Sequence, residues 1–401
     1  MTLFSLLSDD AAIFLRWVHV VAAMVWVGSA FALVRLDLAM RPRGEDQRPQ
    51  SLLLNAGAGS RFFRAENADA TETPVHFKWE AYAAWASGFA LLCLIFCAAP
   101  DLYLIDPAVW DAPGWAAVTA AIGSLPLVWL GYDFLCKKSG LSGDQLLVAL
   151  FAFSAVLALL LTHVFAGRAA YLLLGANLAT LMTANIAHAI APAQKRRLAS
   201  LRAEKPADPA DAKFAATRAL HNQYLALPVV FFMLSGHAPL LFAGPWNGVA
   251  AAFFLASGFL TRRFFLKTYR GLGWDWKLAI AAGACLALGF FLSAPREPPS
   301  DKAAARNAGQ AIAFALRPGV AEARTIIEQN CVGCHAAAPT HPGLAHAAAG
   351  LDFSVAGAVE KHRREILRAA VFSRAMPPPG AAKPLDGDER LTLLRWAEGW
   401  N

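Results

Sequence analysis

The sequence predicts an all-α protein in two parts: a polytopic membrane helix bundle of about eight transmembrane helices, then a small helical tail domain. Three observations carry this. Apolar residues gather in runs long enough to cross a bilayer. Basic residues cluster in every second connection between those runs. A polar, Pro-rich stretch then separates the last run from a tail with a motif of its own.

Only 16% of the 401 residues are charged and 57% are hydrophobic, whereas a soluble domain carries about 25% charged residues. The apolar excess forms eight runs, at about 11–36, 79–99, 114–136, 144–167, 168–190, 221–243, 246–265 and 274–294. Each approaches the roughly 20 residues that span a hydrocarbon core about 30 Å thick. The first run follows the acidic Ser8-Asp9-Asp10 and lacks the basic flank and cleavage site of a signal peptide, so it reads as a retained helix.

The net charge of +7 invites a nucleic-acid reading, but the distribution of basic residues explains it better. Six lie between runs one and two (Arg41, Arg43, Arg48, Arg61, Arg64, Lys78), and Lys137 and Lys138 lie between runs three and four. Seven more run from Lys195 to Arg218, and five from Arg262 to Lys277, which makes twenty on one side. The alternate connections carry Arg168 alone. Such an asymmetry orients a membrane protein with its basic loops in the cytoplasm. Both termini therefore face outward, and no nucleic-acid partner is expected.

After Ala294 the sequence reads Pro295-Arg296-Glu297-Pro298-Pro299-Ser300-Asp301, which divides the chain into a membrane domain at 1–294, a linker at 295–321 and a tail domain at 322–401. The tail opens with a short helix and Cys331-Val332-Gly333-Cys334-His335. Cys-x-x-Cys-His is the attachment pattern of haem c. The two thiols bond the porphyrin, and the following His335 is placed to ligate the iron. Met376, in Ala375-Met376-Pro377-Pro378-Pro379, is the only methionine after the motif and the expected second axial ligand. Met/His ligation suits electron transfer. The tail therefore reads as a small all-α cytochrome c domain with one covalent haem. A zinc site is the alternative, completed by His341 and His346. The remaining cysteines, Cys93, Cys97, Cys136 and Cys285, lie in apolar runs and receive no role.

Titratable residues within a span are candidate sites because burial there is costly. His19, His163 and His237 fall toward the outer side; His76, His188 and His221 fall toward the inner one. Histidines opposed on different helices would ligate a b-type haem. The same residues also read as substrate or proton-relay groups, or as interfacial residues. Arg16, His19 and Trp26 fall near one face of the first span. Lys78-Trp79-Glu80 opens the second, where an interfacial anchor is the simpler reading. In the sixth, His221, Tyr224 and Pro228 share a face, so a ring nitrogen and a phenol are expected to point the same way.

These stretches resemble the membrane-bound urate hydroxylases, whose bundle is the urate oxidase N-terminal domain and whose chain ends in a cytochrome c. The likeness rests on Leu15-Arg16-Trp17-Val18-His19, Trp26-Val27-Gly28-Ser29, Phe77-Lys78-Trp79-Glu80-Ala81-Tyr82 and Val164-Phe165-Ala166-Gly167-Arg168. Its most specific piece is His221-Asn222-Gln223-Tyr224-Leu225-Ala226-Leu227-Pro228, with His237. One position departs. The family's first cytoplasmic loop follows a Gly-rich stretch and an aromatic pair with a histidine, whereas here Phe62-Phe63 precedes Arg64.

The resemblance implies oxidation of urate or a related purine to the 5-hydroxy product, with electrons leaving through haem c toward a cytochrome or terminal oxidase. It implies the inner membrane of a bacterium, lipid contact, and a periplasmic tail. Arg16, Arg35, Lys78 and Arg168 are the candidate anion partners. Glu80, His221 and His19 are the candidate bases, since histidine and desolvated carboxylates titrate near neutrality. A different class competes: a non-catalytic subunit relaying electrons between quinol and a terminal oxidase, which needs haem b in the bundle. The expected topology has a direct check. Reporter fusions after Ala294 should be active with a periplasmic enzyme and dark with a cytoplasmic fluorophore; the reverse pattern refutes the orientation.

Overall fold

The structure, a computed structural model, describes residues 3–39, 51–53, 62–64, 78–106, 109–203, 208–294, 320–355, 357–372, 375–378, 381 and 383–398. The expected linker lies almost wholly outside the described residues, as do His76 and the Gly-rich part of the first loop.

The bundle is built from α1 (Leu3–Ala39), α2 (Lys78–Leu91), the short α3 (Pro100–Tyr103), α4 (Gly114–Lys138), α5 (Gly143–Thr162), α6 (Gly167–Asn185), α7 (Ala191–Arg202), α8 (Pro209–Leu234), α9 (Asn247–Tyr269) and α10 (Trp276–Ser293). Wider π-turns extend α2 through Leu92–Cys97 and join α6 to α7 through Ile186–Ile190. Two three-residue strands, Ser51–Leu53 and Phe62–Arg64, pair antiparallel ahead of α2. The described tail contains α11 (Val320–Asn330), α12 (Ala358–Lys361), α13 (Arg363–Ile366) and α14 (Gly387–Glu398).

Seven stretches among the described residues are long and apolar enough to cross a membrane. The expected eighth, at 221–243, differs. Its helix begins at Pro209, where Pro209 occupies the first turn and Asp208 Oδ1 accepts from Ala210 N at 2.8 Å. It ends at Leu234, before the turn Ser235–His237. His221 therefore sits in mid-helix, and the polar residues around it keep α8 below the hydropathy of its neighbours.

α6 and α8 form the centre, flanked by α4, α5 and α9; α1 packs on α2, and α10 covers α9. The surface is inverted relative to a soluble fold. Met24, Phe134 and Ile280 are about 70% exposed on outer faces, while Arg218 and His221 are 1% exposed at the centre. A continuous apolar exterior of this kind marks a surface meant for an apolar environment.

Helices approach closely where side chains are small. A Cβ on Gly88 would stand 2.7 Å from His19 Cε1. That ring cannot easily retreat, because Nδ1 bonds the Ala84 carbonyl at 2.8 Å. Between α8 and α9, Gly258 leaves room for the Pro228 ring in the same way. Gly88→Val should therefore separate α1 from α2 and destabilise the bundle by about 1–3 kcal/mol, visible as a lowered Tm in detergent. An unchanged Tm would show that the contact is dispensable.

Candidate functional site

Polar groups inside an apolar bundle are costly unless each finds a partner. Their distribution therefore separates what holds the bundle from what remains available to a ligand. α8 carries most of them: Arg218, His221, Asn222 and Gln223 are only 1% to 4% exposed.

The first cluster joins α8 to α4 and α6. Tyr132 Oη lies 2.7 Å from His221 Nδ1 and accepts from Asn185 Nδ2 at 3.0 Å. Asn185 Nδ2 also donates to Asn222 Oδ1 at 2.9 Å, and Asn222 Nδ2 donates to the Met182 carbonyl at 3.0 Å. Arg218 Nη2 donates to Asp133 Oδ1 at 2.6 Å, and Nη1 reaches Asn185 Oδ1 at 3.4 Å. Lys137 Nζ closes on the other carboxylate oxygen of Asp133 at 2.7 Å. Each amide has one orientation here, because arginine only donates and a carbonyl only accepts. The phenol oxygen therefore accepts from Asn185, and it shares a short hydrogen bond with His221 Nδ1. This network is closed: cation meets carboxylate, donor meets acceptor. The Ile186–Ile190 π-turn begins one residue after Asn185, a departure from regular helix often found beside functional groups.

A second cluster faces α9 and α1, and it is not closed. The Arg262 guanidinium is 2% exposed, donates Nη2 to Gln223 Oε1 and lies 4.2 Å from the centre of the Phe31 ring. Its Nε has no hydrogen-bond partner. Among the described residues it has no carboxylate partner either. Gln223 and His221 are two positions apart on α8 and so point to opposite sides of it.

The structure does not gather the five predicted bundle residues into one site. His221 is buried in the closed network, and the phenol it meets is Tyr132 of α4. Tyr224, expected to share its face, packs on Phe259 with ring centres 5.5 Å apart. His19 is half-buried between α1 and α2. Arg16 is exposed, Lys78 lies over the Trp79 ring at 5.2 Å, and Glu80 keeps one carboxylate oxygen buried without a partner. Of the other anion candidates, Arg35 lies over Tyr269 and Arg168 over Tyr103. His163, His188 and His237 are exposed. Arg218 and Arg262, counted as loop residues from sequence, are inside the bundle. Tyr132, Asp133 and Asn185 were not singled out; the charge of Asp133 near the end of an apolar run was the available signal.

In the tail, α11 leads directly into the motif. Cys334 N and His335 N both bond the Cys331 carbonyl, at 3.1 and 2.9 Å, so the motif forms a compact turn. His335 is buried, its ring 5.1 Å from Phe353, and its Nδ1 has no protein partner. Cys331, Val332 and Met376 pack against one apolar core with Ile327, Leu393 and Trp396. Both cysteines are free, and burial pushes the Cys331 thiol up to about 12. Arg390 donates to the Met376 carbonyl at 3.2 Å and fixes that loop to α14. Among the described residues no three His, Cys, Asp or Glu side chains converge as a metal site, which leaves the zinc alternative without a geometry.

The fold defines a multi-helix bundle of membrane-spanning length with a polar, arginine-containing interior. The chain belongs to the urate oxidase N-terminal family, which it matches over residues 5–293, the whole of that bundle. No curated protein and no solved structure matches it. Membership carries a urate-related, oxidoreductase-like role.

The closed network makes a stability prediction. Asp133→Asn strands a buried guanidinium and should cost about 3–5 kcal/mol. Tyr132→Phe removes one hydroxyl and should cost about 1–2 kcal/mol. Thermal melts that ranked the two the other way would show that the ion pair is not the dominant element.

Proposed function

We propose that the protein is a membrane-bound urate hydroxylase of the bacterial inner membrane, oxidising urate in the helical bundle and passing the electrons out through a periplasmic cytochrome c tail. The observation that carries this is one chain joining the urate oxidase family bundle to a buried Cys-x-x-Cys-His turn. Urate monoanion and water give 5-hydroxyisourate, two electrons and one proton, so the reaction needs a place for an anion, a way out for a proton and an electron acceptor.

The tail residues suit haem c. Cys331 and Cys334 would make the thioether bonds, and His335 and Met376 would be the axial ligands. Two observations support the fit: the His335 ring has a buried nitrogen without a partner, and Met376 packs against the same apolar core as Cys331. When bound, haem c supplies one-electron transfer to an external cytochrome or terminal oxidase. With His335 and Met376 both given to the iron, the tail would keep no ligand position for urate, and the substrate is assigned to the bundle. There, His221 holds the Tyr132 phenol and fixes α8 against α4 and α6. Among the other bundle candidates, Glu80 and His19 serve as proton acceptors and Arg16 and Lys78 attract the anion toward the bundle.

Purified membranes should consume urate with an artificial electron acceptor and form no hydrogen peroxide. Met376→Ala should slow turnover at least about tenfold, roughly 1.4 kcal/mol, while equilibrium urate binding stays within twofold. Absence of urate consumption by the wild type, or a haemochrome spectrum showing b-type with c-type haem, would favour an electron-relay subunit instead.

A further inference from the structure

We infer that Arg262 and Gln223, at the seam of α1, α8 and α9, form the subsite that recognises the anionic edge of the substrate. This rests on the proposed oxidation of urate and names the residues that would select it.

The physical case is the contrast between two buried arginines. Arg218 is neutralised by Asp133 and has its partners in place. Arg262 is just as deeply buried, yet among the described residues it meets a neutral amide and an aromatic face but no carboxylate, and its Nε is unmatched. A guanidinium held in an apolar bundle without a counter-charge is a standing cost, and an anionic ligand would remove it. Arg262 gives one Nη to Gln223 Oε1, and its buried Nε–H, with no hydrogen-bond partner, remains a cationic donor. Such a donor suits a planar molecule presenting carbonyl oxygens beside a deprotonated ring nitrogen. Phe31, against the guanidinium, supplies an apolar wall.

An open cavity lies nearby. It measures about 440 Å³ and opens among Arg35, Phe264, Phe265, Thr268, Tyr269 and Trp274, within the range of small-molecule sites. Phe31 and Arg35 are one turn apart on α1, and Arg262, Phe265 and Tyr269 share one face of α9. The cavity thus lies one to two turns from Arg262, toward the end of the bundle where the basic loops gather. Arg35, over the Tyr269 ring at 5.7 Å, places a second cation at its mouth.

The test uses the full-length holoprotein, with urate as the probe. Arg262→Gln should raise the KM for urate and the equilibrium dissociation constant by about 30-fold or more, roughly 2 kcal/mol, as for one lost charge-assisted hydrogen bond. Gln223→Glu should do the same without loss of Tm, because the new carboxylate occupies the guanidinium; it separates lost binding from lost folding. Arg262→Lys should recover only part of the affinity, keeping charge without the fork. Haem c content and its reduction by an external donor should not change in any of these. If the wild type turns over urate while Arg262→Gln and Gln223→Glu keep KM within twofold, the subsite is refuted and the oxidation stands. A wild type that neither binds nor oxidises urate overturns both.

Discussion

The bundle depends on one buried ion pair. Arg218, near the middle of α8, meets Asp133 near the end of α4 at 2.6 Å, and everything polar nearby takes its orientation from that contact. The guanidinium turns the Asn185 amide, Asn185 points its NH₂ at Tyr132 and Asn222, and Tyr132 in turn faces His221. Three helices are held in register by groups that have no alternative partners. A hydrophobic seam of equal area would tolerate sliding; this one does not, since a shift of one residue leaves a cation without its carboxylate.

The two sides of α8 divide structure from ligand chemistry. On the α4 side the Arg218 cation meets the Asp133 carboxylate and the Asn185 and Asn222 amides meet partners. On the α9 side Arg262 gives one bond to Gln223 and keeps a buried Nε without a partner. In the tail, the motif turn packs against the apolar core and buries the His335 ring beside Phe353.

Much of this was legible in the sequence. Runs of apolar residues located seven of the eight expected spans within a few residues, because length and hydropathy alone decide them. Cys331 through His335 stands out by spacing alone, and the structure folds it as a compact turn after α11. The span around His221 was placed too late in the chain: a hydropathy reading starts a helix where apolar residues begin, and α8 starts twelve residues earlier, on the strength of Asp208 and Pro209. Arg218 and Arg262 read as loop residues in the sequence, since a basic residue at the end of an apolar run marks a boundary. Only the tertiary partners, Asp133 for one and Gln223 with Phe31 for the other, distinguish an interior cation from a flanking one. Tyr132 and Asn185 carry no local signal, as their importance lies in groups 89 and 37 positions away.

The polar stretch of α8 also bears on how the protein is made. Placed alone in lipid, Arg218, His221, Asn222 and Gln223 would expose a charge and several amides to hydrocarbon, each at a cost of about 2–3 kcal/mol on insertion scales for the most polar types. In the bilayer proposed for this protein, α4 and α6 would therefore need to be present, with Asp133 and Asn185 in place, before α8 could be accommodated. Arg218, which orients the polar groups of the finished bundle, would then also tie the entry of α8 to helices that precede it in the chain.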